Sequence, residues 1–200
     1  MSANVDTGRT EIPEPNLTRY LFADTRMAPF WFAVRVYPGY LWLTEGIGKV
    51  TEGGWIGQGA GGAVKGFAQG ALAQTTGEHP QVTQWYAWFL QNAVIPNAAL
   101  FSYLITFGEI LVALALILGL FTGIAAFFGA FMNASFIFAG TAGANPLMFI
   151  LAILLIFAWR VAGYWGLDRW ALPAIGVPGY PGTLFRGRSV GGTGQSPRIL

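Results

Sequence analysis

ILVALALILGLFTGIAAFFGAFMNASFIFAGTAGANPLMFILAILLIFAW, residues 110–159, contains no Asp, Glu, Lys, Arg or His. About 20 apolar residues in a helix span the hydrocarbon core of a bilayer, and this stretch is more than twice that long. Glu109 precedes it and Arg160 follows it, so ionisable side chains lie at or near membrane depth. Such groups are costly there and mark a bundle interior or a functional path. The stretch predicts a protein that crosses the membrane several times.

The composition indicates the same class of protein and excludes several functions. Apolar residues make up 54% of the chain and charged residues 10%, against about 25% charged in soluble domains. The chain has no Cys and a single His, His79, so we expect it to bind neither a metal nor a haem by itself. The net charge of +2 is small and dispersed, which argues against nucleic acid as a partner. Any redox role would need a quinone or a partner subunit.

Proline and glycine residues divide the chain into predicted helices. We expect an all-α fold, an integral membrane four-helix bundle whose spans cover about 28–50, 98–118, 120–140 and 147–165. Residues 1–27 are expected to form a polar tail, residues 28–170 the transmembrane domain, and residues 171–200 a flexible tail. The two tails together with Arg169, just before the second tail, contain seven Arg, whereas the first loop contains two Lys. This asymmetry predicts both termini in the cytoplasm and insertion in the inner (plasma) membrane.

The long connection at 56–95 is predicted to lie along the membrane interface. Residues 51–80 form either a low-complexity, Gly-rich linker or, within 60–74, a short amphipathic helix that turns Val64, Phe67, Ala71 and Leu72 to the membrane. Residues 81–94 are rich in aromatic side chains, which prefer the headgroup region. We therefore expect an interfacial helix over the mouth of the bundle.

Glu109 lies near the middle of the second predicted span, where a carboxyl is expected to be neutral or paired with a cation. Arg35 lies about two turns into the first span, and its long side chain covers the difference in depth. We therefore predict an Arg35–Glu109 ion pair, which either locks two helices together or serves proton transfer and ligand binding. Lys49 and Glu45 lie near the end of the first span and are expected to face water.

Further polar and aromatic side chains in the predicted spans extend this constellation. Asn133 either joins helices through a hydrogen bond or contacts a ligand. Arg160 and Tyr164 lie four residues apart on the fourth span, where Arg160 either reaches the interface or faces a pocket. Trp42 shares a helical stripe with Arg35. Together these residues predict a cavity suited to a flat quinone ring or a small anion.

Several segments resemble the DoxX family of bacterial membrane proteins and its relative DoxD, the membrane subunit of thiosulfate:quinone oxidoreductase. The resemblance covers about residues 20–175. It rests on RVYPGYLWLTEGIGKV at 35–50, WYAWFLQNAVIPNAALFSYLITFGEILVALALILGLFT at 85–122, FMNASFIFAGTAGANP at 131–146 and GYWGLDRWALP at 163–173. The resemblance implies a four-helix membrane bundle associated with quinone-linked or sulfur redox systems.

The leading functional hypothesis is therefore a quinone-linked redox subunit of the thiosulfate:quinone oxidoreductase type. Glu109 and Arg35 would be catalytic, and the substrate-binding residues would be Arg160, Asn133, Trp42 and Tyr164. The expected partners are the lipid bilayer and either further membrane or peripheral redox subunits or copies of the same chain. The alternative is a non-catalytic accessory subunit that stabilises a larger respiratory or photosynthetic membrane complex. A small-solute transporter is a weaker alternative, because no internal repeat is visible.

Overall fold

The computed structural model describes residues 14–177 and 180–184, and this part of the chain is almost entirely helical. The α-helices are α1 Asn16–Ala23, α2 Ala28–Thr51, α3 Gly62–Leu72, α4 Gln84–Phe89, α5 Ala98–Leu118, α6 Thr122–Phe138, α7 Asn145–Phe157, α8 Trp159–Ala162 and α9 Asp168–Ile175. Single 3-10 turns cover Thr25–Met27, Gly57–Gly59 and Ala73–Thr75, and a π-helical turn, Leu90–Val94, continues α4. The strands β1 Gly176–Val177 and β2 Tyr180–Pro181 pair antiparallel. The predicted all-α class is confirmed.

The helix boundaries follow the glycine and proline residues of the apolar stretch. Gly119 adopts a left-handed conformation with φ +64° and ends α5, as glycine does after many helices. Pro146 lies in the first turn of α7, where its missing N–H costs nothing. The second predicted span coincides with α5, whereas the fourth does not form one helix. It is divided at Ala158 into α7 and the short α8.

α2, α5, α6 and α7 pack against one another around a shared apolar core. α2 lies along α5, and α6 lies along α7. Glycines on α2 allow the first of these approaches, because a Cβ atom at Gly39 would lie 2.9 Å from Cγ1 of Ile117, and one at Gly46 would lie 2.7 Å from Cγ1 of Ile110. Small residues at such crossings bring helix backbones close together.

The connecting segment 56–95 packs on one end of the bundle and has a core of its own. The predicted helix within 60–74 is present as α3, but Val64 and Ala71 are each only 2% exposed. They face Tyr86 and Leu90 inside this second core, so the prediction that they turn to the membrane is wrong. The Tyr86 hydroxyl donates a hydrogen bond of 2.7 Å to the carbonyl oxygen of Ser135, which fastens the segment to α6. Trp85 and Trp88 remain exposed.

Both ends of the described chain contain regular structure. α1 packs against α8, and Nε1 of Trp31 donates to the carbonyl oxygen of Leu21 at 2.6 Å. The C-terminal tail, predicted to be flexible from residue 171, forms the end of α9 and the β1–β2 hairpin up to residue 184, so that prediction is wrong there. The rest of both predicted tails, residues 1–13, 178–179 and 185–200, lies outside the described residues.

α5 is the one helix of the described residues that is long and apolar enough to cross a membrane by itself. Its 18-residue window has a mean hydropathy of 2.2, and only a third of that window is buried inside the protein. Most of its apolar surface therefore faces outward. α6 and α7 are also apolar but shorter. α2 is long enough, but it carries Arg35, Glu45 and Lys49.

Candidate functional site

A buried ion pair joins α2 to α5. Nζ of Lys49 lies 2.8 Å from Oε2 of Glu109 and 3.5 Å from Oε2 of Glu45. The Glu109 side chain is 1% exposed, that of Lys49 11% and that of Glu45 69%. The partner of Glu109 is thus Lys49 and not Arg35, and the predicted Arg35–Glu109 pair is wrong. Lys49 was also expected to face water, and only Glu45 does.

Trp55, in the loop after α2, covers this ion pair. Nζ of Lys49 lies 5.0 Å from the centre of the Trp55 ring, within the range of a cation–π interaction. The carbonyl oxygen of Trp55 accepts a hydrogen bond of 2.5 Å from the buried Ser102 hydroxyl on α5. The loop is therefore held against the helix that carries Glu109.

Two more polar side chains, Thr106 on α5 and Asn133 on α6, are completely buried. Within the part of the chain that the structure describes, neither the Thr106 hydroxyl oxygen nor either amide atom of Asn133 has a hydrogen-bond partner. Each such group costs about 1–3 kcal/mol when it is left unsatisfied. An interior that keeps these groups without partners is suited to bind a polar ligand.

Thr106 and Asn133 lie at the level of Glu109 in the bundle. Thr106 lies three residues before Glu109, on the same face of α5. Gly108 and Met132 bring the adjoining turns of α5 and α6 together, because a Cβ atom at Gly108 would lie 3.4 Å from the sulfur of Met132. We call Lys49, Thr106, Glu109 and Asn133 the polar cluster.

An apolar groove of about 740 Å³ runs between α5 and α6, next to the polar cluster. Aromatic side chains of both helices and of the connecting segment line it, among them Phe89, Phe101, Phe128 and Phe136. Phe128 is also 53% exposed, so the groove opens to the surroundings. Gly108 and Met132 form part of its wall. Each is followed in the sequence by a member of the polar cluster, Glu109 or Asn133, that does not itself line the groove.

Arg35 is completely buried, and backbone carbonyl groups bind its guanidinium. Nε donates to the oxygen of Ala162 at 2.9 Å, and Nη2 donates to that of Trp165 at 2.7 Å. Nη1 donates to the oxygens of Leu116 and Ile117, the latter at 2.8 Å. The last carbonyls of α5 lack helical partners, and a cation there also complements the helix dipole. Arg35 is thus a cap of α5 rather than a residue free to hold an anion.

Asp168 binds the start of α6, on the other side of the α5–α6 turn from the carbonyl groups that Arg35 binds. Its carboxylate accepts hydrogen bonds from the backbone N–H groups of Phe121 at 2.6 Å and Thr122 at 2.9 Å, at the start of α6. Asp168 is 1% exposed, and its own N–H donates to the oxygen of Gly119 at 2.8 Å. Arg35 and Asp168 therefore hold the α5–α6 turn between them. Asp168 was not among the site residues predicted from the sequence.

The remaining predicted site residues do not join the polar cluster. Arg160 is exposed, and its guanidinium lies 5.9 Å from the Trp159 ring. Tyr164 lines a smaller pocket near Arg35, with the Arg169 guanidinium 5.1 Å from its ring. Trp42 is 3% exposed and packs in the core at 6.4 Å from Phe136. The polar cluster instead contains Lys49 and Thr106, which were not predicted as site residues.

Comparison with known proteins assigns this chain to no family. No protein-family model, no curated protein and no solved structure matches it. The resemblance to the DoxX family therefore stays a prediction. Among the residues that the structure describes, no group of three His, Cys, Asp or Glu side chains could hold a metal ion.

Proposed function

We propose that this chain is a DoxX-like integral membrane protein and a quinone-linked redox subunit of the thiosulfate:quinone oxidoreductase type. The observation that carries the proposal is an apolar, aromatic-lined groove whose wall includes Gly108 and Met132, the residues directly before the buried Glu109 and Asn133. Asn133 has hydrogen-bonding atoms without a partner among the described residues. Ligand sites typically combine an apolar pocket of about 300–1,000 Å³ with a few convergent polar groups. A quinone has the matching parts, an apolar tail and a ring with two oxygens.

The polar cluster supports proton supply to a quinone. Two thiosulfates, one quinone and two protons give one tetrathionate and one quinol, so protons must reach the quinone oxygens. Glu109 is the buried carboxyl beside the groove, and Asn133 offers an amide N–H to an oxygen. The guanidinium of Arg35 is fully engaged with carbonyl groups, so we assign thiosulfate binding to a partner subunit. In this chain, the exposed Arg160 remains the candidate cation for contact with thiosulfate.

A bulky side chain at Gly108 tests this site. Gly108→Leu places a side chain in the wall between the groove and Glu109, and we expect it to weaken quinone affinity at least about tenfold. The measurement is labelling of the purified protein in nanodiscs by a photoreactive quinone, read by mass spectrometry. Gly66→Leu is the matched control, because a side chain at Gly66 on α3 meets open space. Equal labelling of both variants and of the wild type would exclude the groove as the quinone site.

The exposed aromatic face of α6 favours a second function, that of an accessory subunit. Phe127, Phe128 and Phe131 are each more than half exposed and form a surface suited to a neighbouring helix. Purification in mild detergent distinguishes the two functions. A free oligomer that oxidises thiosulfate with a soluble quinone supports the redox subunit. Recovery only together with large redox proteins supports the accessory subunit.

We also propose four membrane crossings, by α2, α5, α6 and the α7–α8 pair, with both termini in the cytoplasm. The low hydropathy of α2 is offset by the internal partners of Arg35 and Lys49, which face the bundle rather than lipid. Single cysteines at Ser2 and Ser196 should therefore react only from the cytoplasmic side. One at the exposed Gln58 should react only from the opposite side. Labelling of either terminus from the outside would contradict this topology.

A further inference from the structure

Lys49 stands between a buried carboxyl group and an exposed one. Its Nζ atom contacts both, at 2.8 Å from Glu109 and 3.5 Å from Glu45. Side-chain exposure rises along the series Glu109, Lys49 and Glu45, from 1% through 11% to 69%. We propose that Lys49 is a proton relay, which carries protons between Glu109 and the aqueous phase, and that Glu45 is the exposed end of this route.

Within the described residues, Lys49 is the one ionisable side chain that contacts Glu109. The buried Tyr86 on α4 instead donates its hydroxyl to the carbonyl oxygen of Ser135. α6 and α7 contain no titratable residue, and Tyr103 on α5 stacks on Phe107 and is partly exposed. Lys65 on α3 and Glu52 after α2 are exposed.

Towards Arg35, the interior is closed by apolar side chains. Trp42, Val112 and Leu116 fill that part of the core and are each at most 6% exposed. Arg35 itself lies beyond them with its N–H groups on carbonyl oxygens. Among the described residues, the pair formed by Lys49 and Glu45 is therefore the polar connection from Glu109 to the surface.

The proton balance of the relay is simple. The Lys49 ammonium group donates a proton to the Glu109 carboxylate and becomes a neutral amine. The amine then takes a proton from the Glu45 carboxyl group or from water, so one proton has moved inward. An arginine at this position would not release its proton. The physiological purpose of the relay rests on the proposed function, in which Glu109 supplies protons to a quinone. The protonation rate of Glu109 can be measured without any quinone.

Time-resolved infrared spectroscopy of the full chain in nanodiscs tests the relay. After a jump to lower pH, the protonated-carboxyl band of Glu109 appears, and its loss in Glu109→Gln assigns it. Each variant is measured at the midpoint of its own titration, so that the driving force is the same. We expect Lys49→Met to slow the appearance of the band by about 100-fold.

Lys49→Arg separates a relay from a merely electrostatic role. It keeps the positive charge, but we expect it to be as slow as Lys49→Met, because a guanidinium does not release its proton. Glu45→Gln leaves the Lys49–Glu109 contact intact and should be slower than the wild type, but by less, since water replaces its carboxyl. Lys65→Met, at an exposed lysine, should leave the rate unchanged.

Protonation of Glu109 at the wild-type rate in Lys49→Arg would overturn the relay. If Lys49→Arg does not fold, a wild-type rate in Glu45→Gln would overturn it instead. Failure of quinone to label the groove leaves this rate unaffected, so the relay and the proposed function fail separately.

Discussion

Lys49→Met lowers the free energy of unfolding by about 3–5 kcal/mol, because it leaves the Glu109 carboxylate in the interior without its cation. Glu109→Gln is expected to cost less, since Lys49 then keeps Glu45 as a partner and is nearer the surface. The double variant Lys49→Met with Glu109→Gln should recover much of the loss, because both charges leave the interior together. Equilibrium unfolding in mixed micelles, followed by circular dichroism, measures all three.

Glu45→Gln is the matched control for this cycle. It removes a carboxylate from the same lysine, but from an exposed i,i+4 pair, which is worth only about 0.3–0.5 kcal/mol. Strict additivity of the Lys49 and Glu109 losses in the double variant would mean that the two side chains do not interact. The contact at 2.8 Å between Nζ and Oε2 would then contribute nothing to stability.

The helices were predictable from the sequence where a long apolar run meets glycine or proline. The second predicted span and α5 share the bounds 98 and 118, and the first predicted span is within one residue of α2. The break at Ala158 was not predictable in this way. The residues around it are apolar on both sides, and neither Gly nor Pro marks the place.

The partners of the buried charges were only partly predictable. Lys49 belongs to a stripe with Arg35, Gly39, Trp42 and Gly46, and that spacing placed it on the packed face of α2. Its position near the end of the helix predicted that it faces water, and that prediction was wrong. Gly46, three residues before Lys49, was the better signal, because it marks a point where α5 packs closely against α2.

The partners of Arg35 could not be predicted from the sequence, because they are backbone carbonyl groups. A search for a side chain of opposite charge led to Glu109, which lies about two turns of α5 from Leu116 and Ile117. Any residue type supplies a carbonyl oxygen, so only the fold shows which ones converge on a guanidinium. The same holds for Asp168, whose partners are the N–H groups of Phe121 and Thr122.

Removing the guanidinium of Arg35 should therefore destabilise the whole bundle. Arg35→Leu removes the side-chain donor of four carbonyl oxygens from α5 and the region after α7. We expect a loss of several kcal/mol, at about 1–3 kcal/mol for each buried group left unsatisfied. Arg35→Lys should recover little of this, because a single ammonium cannot reach carbonyls that lie in three directions. The exposed Arg169→Leu, in the neighbouring GLDR motif, is the matched control and should change stability by no more than about 0.5 kcal/mol.

Asp168→Ala shows whether the cap at the start of α6 acts together with Arg35. An N-terminal cap is worth about 0.5–2 kcal/mol, and Asp168 serves two backbone N–H groups, so we expect the upper part of that range. Because Arg35 and Asp168 hold the same α5–α6 turn, their combined loss should be smaller than the sum of the two single losses. An Arg35→Leu protein as stable as the wild type that had lost only thiosulfate oxidation would restore Arg35 to the catalytic role predicted for it. Parallel loss of stability and activity is the result that a structural cap requires.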